Sequence, residues 1–160
     1  MKNLERHVKF LPFAFMIHNI EEIVYVDNMN NTELDIPIYG QAQFVVTVLF
    51  FTAFGFIIVF GKSLYRNASY CRYAIAGFAG MLFLNAVFSH IIPSVYFMNY
   101  MSGVATAVLF LLPLSAYRLW KIHTLQLLSN RQLMVTTVLG GIAGIAFVFG
   151  FLNIAYLLTN

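Results

Sequence analysis

Long apolar stretches recur along the chain with short polar segments between them, a pattern that predicts transmembrane helices. Five stretches qualify, at residues 10–26, 41–60, 73–93, 99–117 and 133–158. The first is the shortest and carries internal charges, and it also resembles a signal peptide, but no small-residue cleavage site follows it. The pattern therefore predicts one all-α domain, an integral membrane bundle of five transmembrane helices.

Charged residues in the loops predict the orientation of that bundle. All nine Lys and Arg residues fall at one end: Lys2, Arg6, Lys9, Lys62, Arg66, Arg72, Arg118, Lys121 and Arg131. The opposite loops hold Asp27, Glu33 and Asp35, or no charge at all around 93–97. The positive-inside rule then predicts a cytoplasmic N-terminus, an extracytoplasmic C-terminus and a multi-pass protein of the cell membrane.

Composition agrees with the membrane prediction and excludes other classes. The chain is 61% hydrophobic and 9% charged, whereas a soluble domain is about half apolar and a quarter charged. The net charge of +3 is spread over the loops, which argues against a nucleic-acid partner. A single cysteine, Cys71, excludes an intramolecular disulfide and a multi-cysteine metal site.

The first apolar stretch contains His18, Glu21 and Glu22. An acidic residue at the centre of a membrane helix costs roughly 2.5–3.5 kcal/mol, so such residues usually mark a functional site. In a helix, positions i, i+3, i+4 and i+7 share one face, which groups these residues with Tyr25. This polar stripe must face the bundle interior or a water-filled cavity.

Polar residues of two other stretches are expected at a similar depth. With the predicted orientation, Asn85 and His90 lie in the outer half of the third helix, and Tyr100 and Thr106 in the outer half of the fourth. We therefore expect one site in the outer half of the bilayer, with Tyr25, Tyr100 and Thr106 lining its pocket.

The residue types favour metal chemistry at this site. Two adjacent carboxylates in a low dielectric cannot both stay ionised without compensation, and a divalent metal such as zinc would supply it. The expected ligands are His18, Glu22 and His90, with water at the remaining position. Glu21 and Glu22 are candidate acid/base residues with interchangeable roles, and Asn85 is a candidate donor to an oxyanion.

The leading hypothesis is a membrane-embedded, metal-dependent hydrolase or transferase whose partners are membrane lipids and a lipid-like or other hydrophobic substrate. One alternative is a metal-free, isomerase-like enzyme that transfers protons through the same carboxylates. Another is a non-enzymatic small transporter or a cation- or proton-binding protein. The almost purely apolar inner halves of the helices argue against a continuous transport path.

The motif His-x-x-Glu-Glu at 18–22 resembles the signature of the HXXEE family of small multi-pass membrane proteins. His90, Pro113 and the stretch Tyr-x-x-Gly-x-x-Thr-Ala at 100–107 also match that family, so the likeness covers residues 12–118. Members often carry Pro-Gly where this chain has Ser102-Gly103. The resemblance implies a polar, enzyme-like site and specifies no reaction.

Overall fold

The computed structural model describes residues 7–25 and 40–159, and every regular element within them is helical. The five main helices are α1 (Phe10–Val24), α2 (Gln41–Phe60), α3 (Ala68–Tyr96), α4 (Val104–Thr124) and α5 (Asn130–Thr159). A single 3₁₀ turn, Lys62–Leu64, lies between α2 and α3. The all-α prediction is confirmed for these residues. Val26, at the end of the first predicted span, lies outside them, as do the charged residues Lys2, Arg6, Asp27, Glu33 and Asp35.

Four of the helices, α2 to α5, are long and apolar enough to cross a membrane, with lengths of 20 to 30 residues. Helix α1 has 15 residues, about 22 Å at the rise of an α-helix. That is shorter than the ~30 Å hydrocarbon core of a typical bilayer. The structure is consistent with a membrane protein in which α1 differs from the other helices.

Helix α2 begins and ends at the predicted residues 41 and 60, whereas α3 and α4 begin at different residues from those predicted. Helix α3 begins five residues before the predicted start at residue 73, because the side chain of Asn67 accepts hydrogen bonds from the amides of Ser69 and Tyr70 at 3.0 and 3.1 Å. Helix α4 begins at Val104 and not at residue 99, because Gly103 has a φ of 84° and redirects the chain. Hydropathy cannot locate such caps, since it averages over a window.

Helices α3 and α4 each contain a π-helical turn, over Ala86–Ile91 and Ala107–Leu111. In both helices a proline, Pro93 or Pro113, is the second residue of the α-helical segment that follows. Proline lacks an N–H and its ring collides with the carbonyl four residues earlier, which opens the preceding turn. The two π turns pack against each other, and the π turn of α4 also packs against α1.

The core joins α1, α3 and α4 through buried apolar side chains that include Leu11, Phe15, Leu82 and Leu111. Helix α5 packs along α3 through glycines, and a Cβ added to Gly80 would lie 2.6 Å from the Cα of Thr137. Only 6% of the apolar window of α5 is buried. Helix α5 therefore packs on α2 and α3 and leaves most of its own surface unburied.

Candidate metal centre

Helix α1 contributes two side chains, His18 and Glu22, to a polar cluster. They lie one helical turn apart. The His18 side chain is fully buried, and its Nε2 lies 3.4 Å from Oε1 of Glu22. The neighbouring Asn19 donates to Oγ1 of Thr52 on α2 at 2.6 Å. This bond joins α1 to α2 and so fixes the rotation of α1 about its own axis. With that rotation, His18 and Glu22 face α3 and α4.

The π turn of α3 brings Asn85 and His90 onto one face. Five residues of a regular α-helix would separate them by about 140°, whereas the wider π turn places residues five apart near each other. Nδ2 of Asn85 lies 3.3 Å from Nε2 of His90, and the same His90 atom lies 3.3 Å from Oε1 of Glu22. Asn85 also reaches His18, with 3.4 Å between Nδ2 and Nε2.

Hydrogen bonds at the far side of each imidazole define its tautomer. Nδ1 of His90 lies 2.8 Å from the carbonyl oxygen of Ser102, which can only accept, so this nitrogen carries the proton. Nδ1 of His18 lies 3.0 Å from Oγ1 of Thr106, whose hydroxyl donates to the carbonyl of Gly103 and therefore accepts from His18. In their neutral forms both rings consequently present the Nε2 lone pair to Glu22.

Glu21 has different partners from Glu22. Its Oε2 accepts from the amide of Thr106 at 2.8 Å, and its Oε1 accepts from the amide of Ala105 at 3.3 Å and from the hydroxyl of Tyr100. These amides are the free donors at the start of α4, where the N-cap residue Gly103 has no side chain to satisfy them. The carboxylate also opposes the positive end of that helix. Glu21 thus joins α1 to α4, and its acid/base role stays a prediction.

Two tyrosines form the rim of the cluster. The rings of Tyr25 and Tyr100 meet edge to face with 5.5 Å between centroids, and each residue is 43% exposed. Tyr100 precedes α4, and partial burial together with its hydrogen bond to Glu21 raises its pKa to about 12. Its phenol therefore stays protonated and keeps donating to Glu21 throughout the neutral range.

Two further contacts at the site have no direct signal in the sequence. The backbone of Ser102 holds His90, and its hydroxyl donates to the carbonyl of Glu22 at 3.2 Å. Gly103 lies against the cluster, since an added Cβ would be 2.7 Å from Cε1 of His18 and 2.9 Å from Cε1 of His90. Hydropathy carries no information on a backbone acceptor, and only the Ser-Gly pair before α4 marked this position.

The structure brings His18, Glu22 and His90 together in a group that could hold a metal ion, with one candidate ligand atom from each within 4.8 Å of the others. Asn85 and Glu21 lie beside this group, which we call the His/Glu cluster (His18, Glu22 and His90). Thr106 contacts both His18 and Glu21, and Tyr25 and Tyr100 border the His/Glu cluster. Every predicted site residue thus lies in one region of the described structure, while the individual roles remain predictions.

Comparison with known proteins identifies the family. The chain is 24% identical over 143 residues to "Uncharacterized protein YrkK" of Bacillus subtilis (strain 168), which covers 88% of this chain and 90% of the relative. No solved structure matches. The model of the family described as "Protein of unknown function with HXXEE motif" matches residues 9–118, a segment that contains the whole His/Glu cluster. The chain belongs to the HXXEE family.

Proposed function

We propose that this protein is a membrane-embedded, metal-dependent enzyme, a hydrolase or transferase that acts on a lipid or another hydrophobic substrate. The observation that carries the proposal is the convergence of two imidazole lone pairs and one carboxylate. The oxygen of Glu22 lies 3.4 Å from Nε2 of His18 and 3.3 Å from Nε2 of His90. Three electron-pair donors at these separations repel each other unless a cation or a proton lies between them.

The separations suit a small divalent metal. Four tetrahedral ligands about 2.0–2.1 Å from a zinc ion lie about 3.3–3.4 Å from one another. The carboxylate meets this spacing toward both histidines. The Nδ1 hydrogen bonds to Ser102 and Thr106 are of the kind that orient metal-binding histidines in known sites.

Asn85 is proposed as the residue beside the open fourth position. Its terminal amide repeats the spacing of Glu22, at 3.4 Å from Nε2 of His18 and 3.3 Å from Nε2 of His90. The amide would donate to a water or substrate oxygen bound to the metal at that position, which agrees with the predicted oxyanion role.

A metal at this position would lower the pKa of a coordinated water and polarise a substrate carbonyl or phosphoryl group. Glu22 and the two histidines would bind the ion. Glu21 would hold the start of α4, and with it Thr106 and Gly103, against the metal site. We therefore propose Glu21 as a positioning residue and Glu22 as the carboxylate that takes part in the chemistry.

The membrane arrangement is part of the proposal. Helices α1 to α5 would all cross the cell membrane, with α1 shortened and the basic loops in the cytoplasm. Arg66, Lys121 and Arg131 all lie in or beside the connections at one end of α2 to α5, which supports this orientation. The His/Glu cluster would then lie in the outer half of the bilayer, where exposed Tyr25 and Tyr100 border it. A hydrophobic substrate could reach it from the lipid phase.

A second candidate is supported by the same contacts. If a proton and not a metal lies between Glu22 and the histidines, the cluster is an imidazolium–carboxylate group that could shuttle protons in an isomerase-like reaction. The two candidates differ in one property, because only the metal enzyme loses activity to a chelator.

Elemental analysis of the detergent-purified protein, prepared without chelator, tests the proposal. We expect about one divalent metal per chain in the wild type, and a loss of at least tenfold in metal affinity for Glu22→Gln and for His90→Gln. Glu21→Gln is the matched control, because it changes the adjacent carboxylate in the same way and should keep the metal.

Less than about 0.2 metal per folded wild-type chain would contradict the metal enzyme. Equal metal loss in Glu21→Gln and Glu22→Gln would contradict the division of roles between them. Near-ultraviolet circular dichroism of each variant separates metal loss from unfolding.

A further inference from the structure

A large groove lies away from the His/Glu cluster, between α2, α3 and α5. Its volume is about 1160 Å³, slightly above the range of about 300–1,000 Å³ for ligand sites. Apolar side chains from all three helices line most of its length, among them Phe54, Ile57, Met81, Ala143 and Phe147. Its shape and lining suit a hydrocarbon chain and not a compact polar ligand.

One end of the groove is polar. Ser129, Arg131 and Gln132 line it from the start of α5, and Tyr70 and Tyr73 line it from the start of α3. Among the described residues that line the groove, Arg131 alone carries a charge. The groove therefore runs from a positively charged end into an apolar interior, which is the polarity of an anionic amphiphile.

The position of Arg131 at the start of α5 also favours a bound anion. It is the second residue of α5, and the first turn of that helix contains no acidic residue. A helix N-terminus is equivalent to roughly half a positive charge, so a cation there is unfavourable. The cap itself is neutral, because Ser129 and Gln132 satisfy each other's amides with their side chains at 2.9 and 3.2 Å. A bound anion would offset both the arginine and the helix dipole.

From these observations we infer that the groove binds an anionic phospholipid, with the phosphate beside Arg131 and an acyl chain along α5 between α2 and α3. Arg131 and Phe147 are separated by sixteen residues of α5, about 24 Å along the helix. That length accommodates a whole acyl chain. The inference does not depend on the metal site.

Lipid titrations of the full-length protein in detergent test this inference, with binding counted by native mass spectrometry. The probes are dioleoylphosphatidylglycerol and dioleoylphosphatidylcholine, which share their chains and differ in net charge. We expect the wild type to bind one phosphatidylglycerol about tenfold more tightly than phosphatidylcholine. Arg131→Gln should reduce this preference to less than about twofold.

Arg66→Gln is the matched control, because it removes an equal charge from an exposed residue in the connection before α3 that does not line the groove. It should keep the tenfold preference. Ala143→Phe fills the apolar part and should weaken the binding of both lipids. Arg131→Gln carries the test even if Ala143→Phe does not fold.

An unchanged preference in Arg131→Gln would overturn the inference, as would an equal loss in Arg66→Gln, which would indicate a diffuse charge effect. Competition by inorganic phosphate at the concentration of the lipid would indicate an anion site without a role for the acyl chain, and would overturn it too. Loss of metal from the wild type would leave these lipid results unchanged, so the two proposals fail separately.

Discussion

Gly103 combines two constraints that a larger residue cannot meet. Its φ of 84° lies in the left-handed region, and an added Cβ would come within 2.7 Å of His18 and 3.0 Å of Glu22. The first constraint costs about 1–2 kcal/mol for a residue with a Cβ. The second displaces two proposed metal ligands.

We therefore expect Gly103→Ala to lower the free energy of unfolding by at least ~1 kcal/mol and the metal affinity by about tenfold or more. Thermal unfolding in detergent and metal titration measure the two effects. Gly150→Ala is the control, since its Cβ would meet nothing within 4 Å, and it should leave both values unchanged. Wild-type metal affinity in Gly103→Ala would show that the close approach to the histidines has no consequence.

At the scale of residues, the members of the cluster could be predicted from the sequence, and the contacts that support them could not. His18, Glu22 and His90 could be found because polar groups in apolar stretches are costly and hence conspicuous. The carbonyl of Ser102 fixes the tautomer of His90, yet every residue carries a carbonyl and no side chain marks this one. The separate partners of Glu21 and Glu22 were equally hidden, because they depend on which atoms of α4 lie opposite.

Among the elements, the π turn of α3 determines which residues of that helix face the site. A π turn is an α-helix with one additional residue in a single turn. Within it, Phe88 is 63% exposed and lies between Asn85 and His90. Removing Phe88 would convert their separation from five residues to four, which also places both on one face of a regular helix.

Deletion of Phe88 is therefore expected to keep metal binding within about tenfold of wild type. Deletion of Leu84, one residue before Asn85, should abolish it, because it rotates Asn85 and His90 together by about 100° relative to the part of α3 that packs on α5. Metal content and thermal unfolding of the two deletions provide the comparison. Equal loss of metal in the two deletions would contradict this interpretation, in which the π turn only accommodates one additional residue.

Hydropathy located both ends of α2 and α5 to within three residues, missed the ends of α3 and α4 by up to seven, and could not detect the π turns. An added residue in one turn hardly changes the average over a window of about 19 residues, whereas it changes the direction of each later side chain. Pro93 and Pro113 were the available signal, since each follows a π turn. The sequence does not say whether such a proline produces a kink or a wider turn.

For the whole molecule, the proposed orientation can be measured with one cysteine at a time. Met98 is 93% exposed in the connection between α3 and α4, and Gln126 is exposed in the connection between α4 and α5. These connections lie at opposite ends of α4. In a Cys71→Ser background, a membrane-impermeant maleimide should label Met98→Cys in intact cells and Gln126→Cys only after permeabilisation. The reverse pattern would show that the N-terminus is extracytoplasmic.

The contacts between helices separate the part of the molecule that holds the His/Glu cluster from the part that lines the groove. The family match ends at residue 118, before α5, and the His/Glu cluster takes its side chains from α1 and α3 with support from α4. Helix α5 instead packs on α3 and lines the lipid groove. The proposed metal and lipid sites thus share α3 and little else.

The neighbouring carboxylates of α1 have a consequence for biogenesis. Glu21 is satisfied by the start of α4, and Glu22 lies against His18 of α1 and His90 of α3, so α3 and α4 contribute partners that are synthesised after α1. In the proposed membrane arrangement, α1 alone would carry Glu21 without its partners and Glu22 with His18 alone beside it into lipid, which is unfavourable. Stable insertion of α1 would then wait for the later helices. A one-residue slip would also turn both carboxylates away from their partners by about 100°, so the motif would favour a single register of α1 in the bundle.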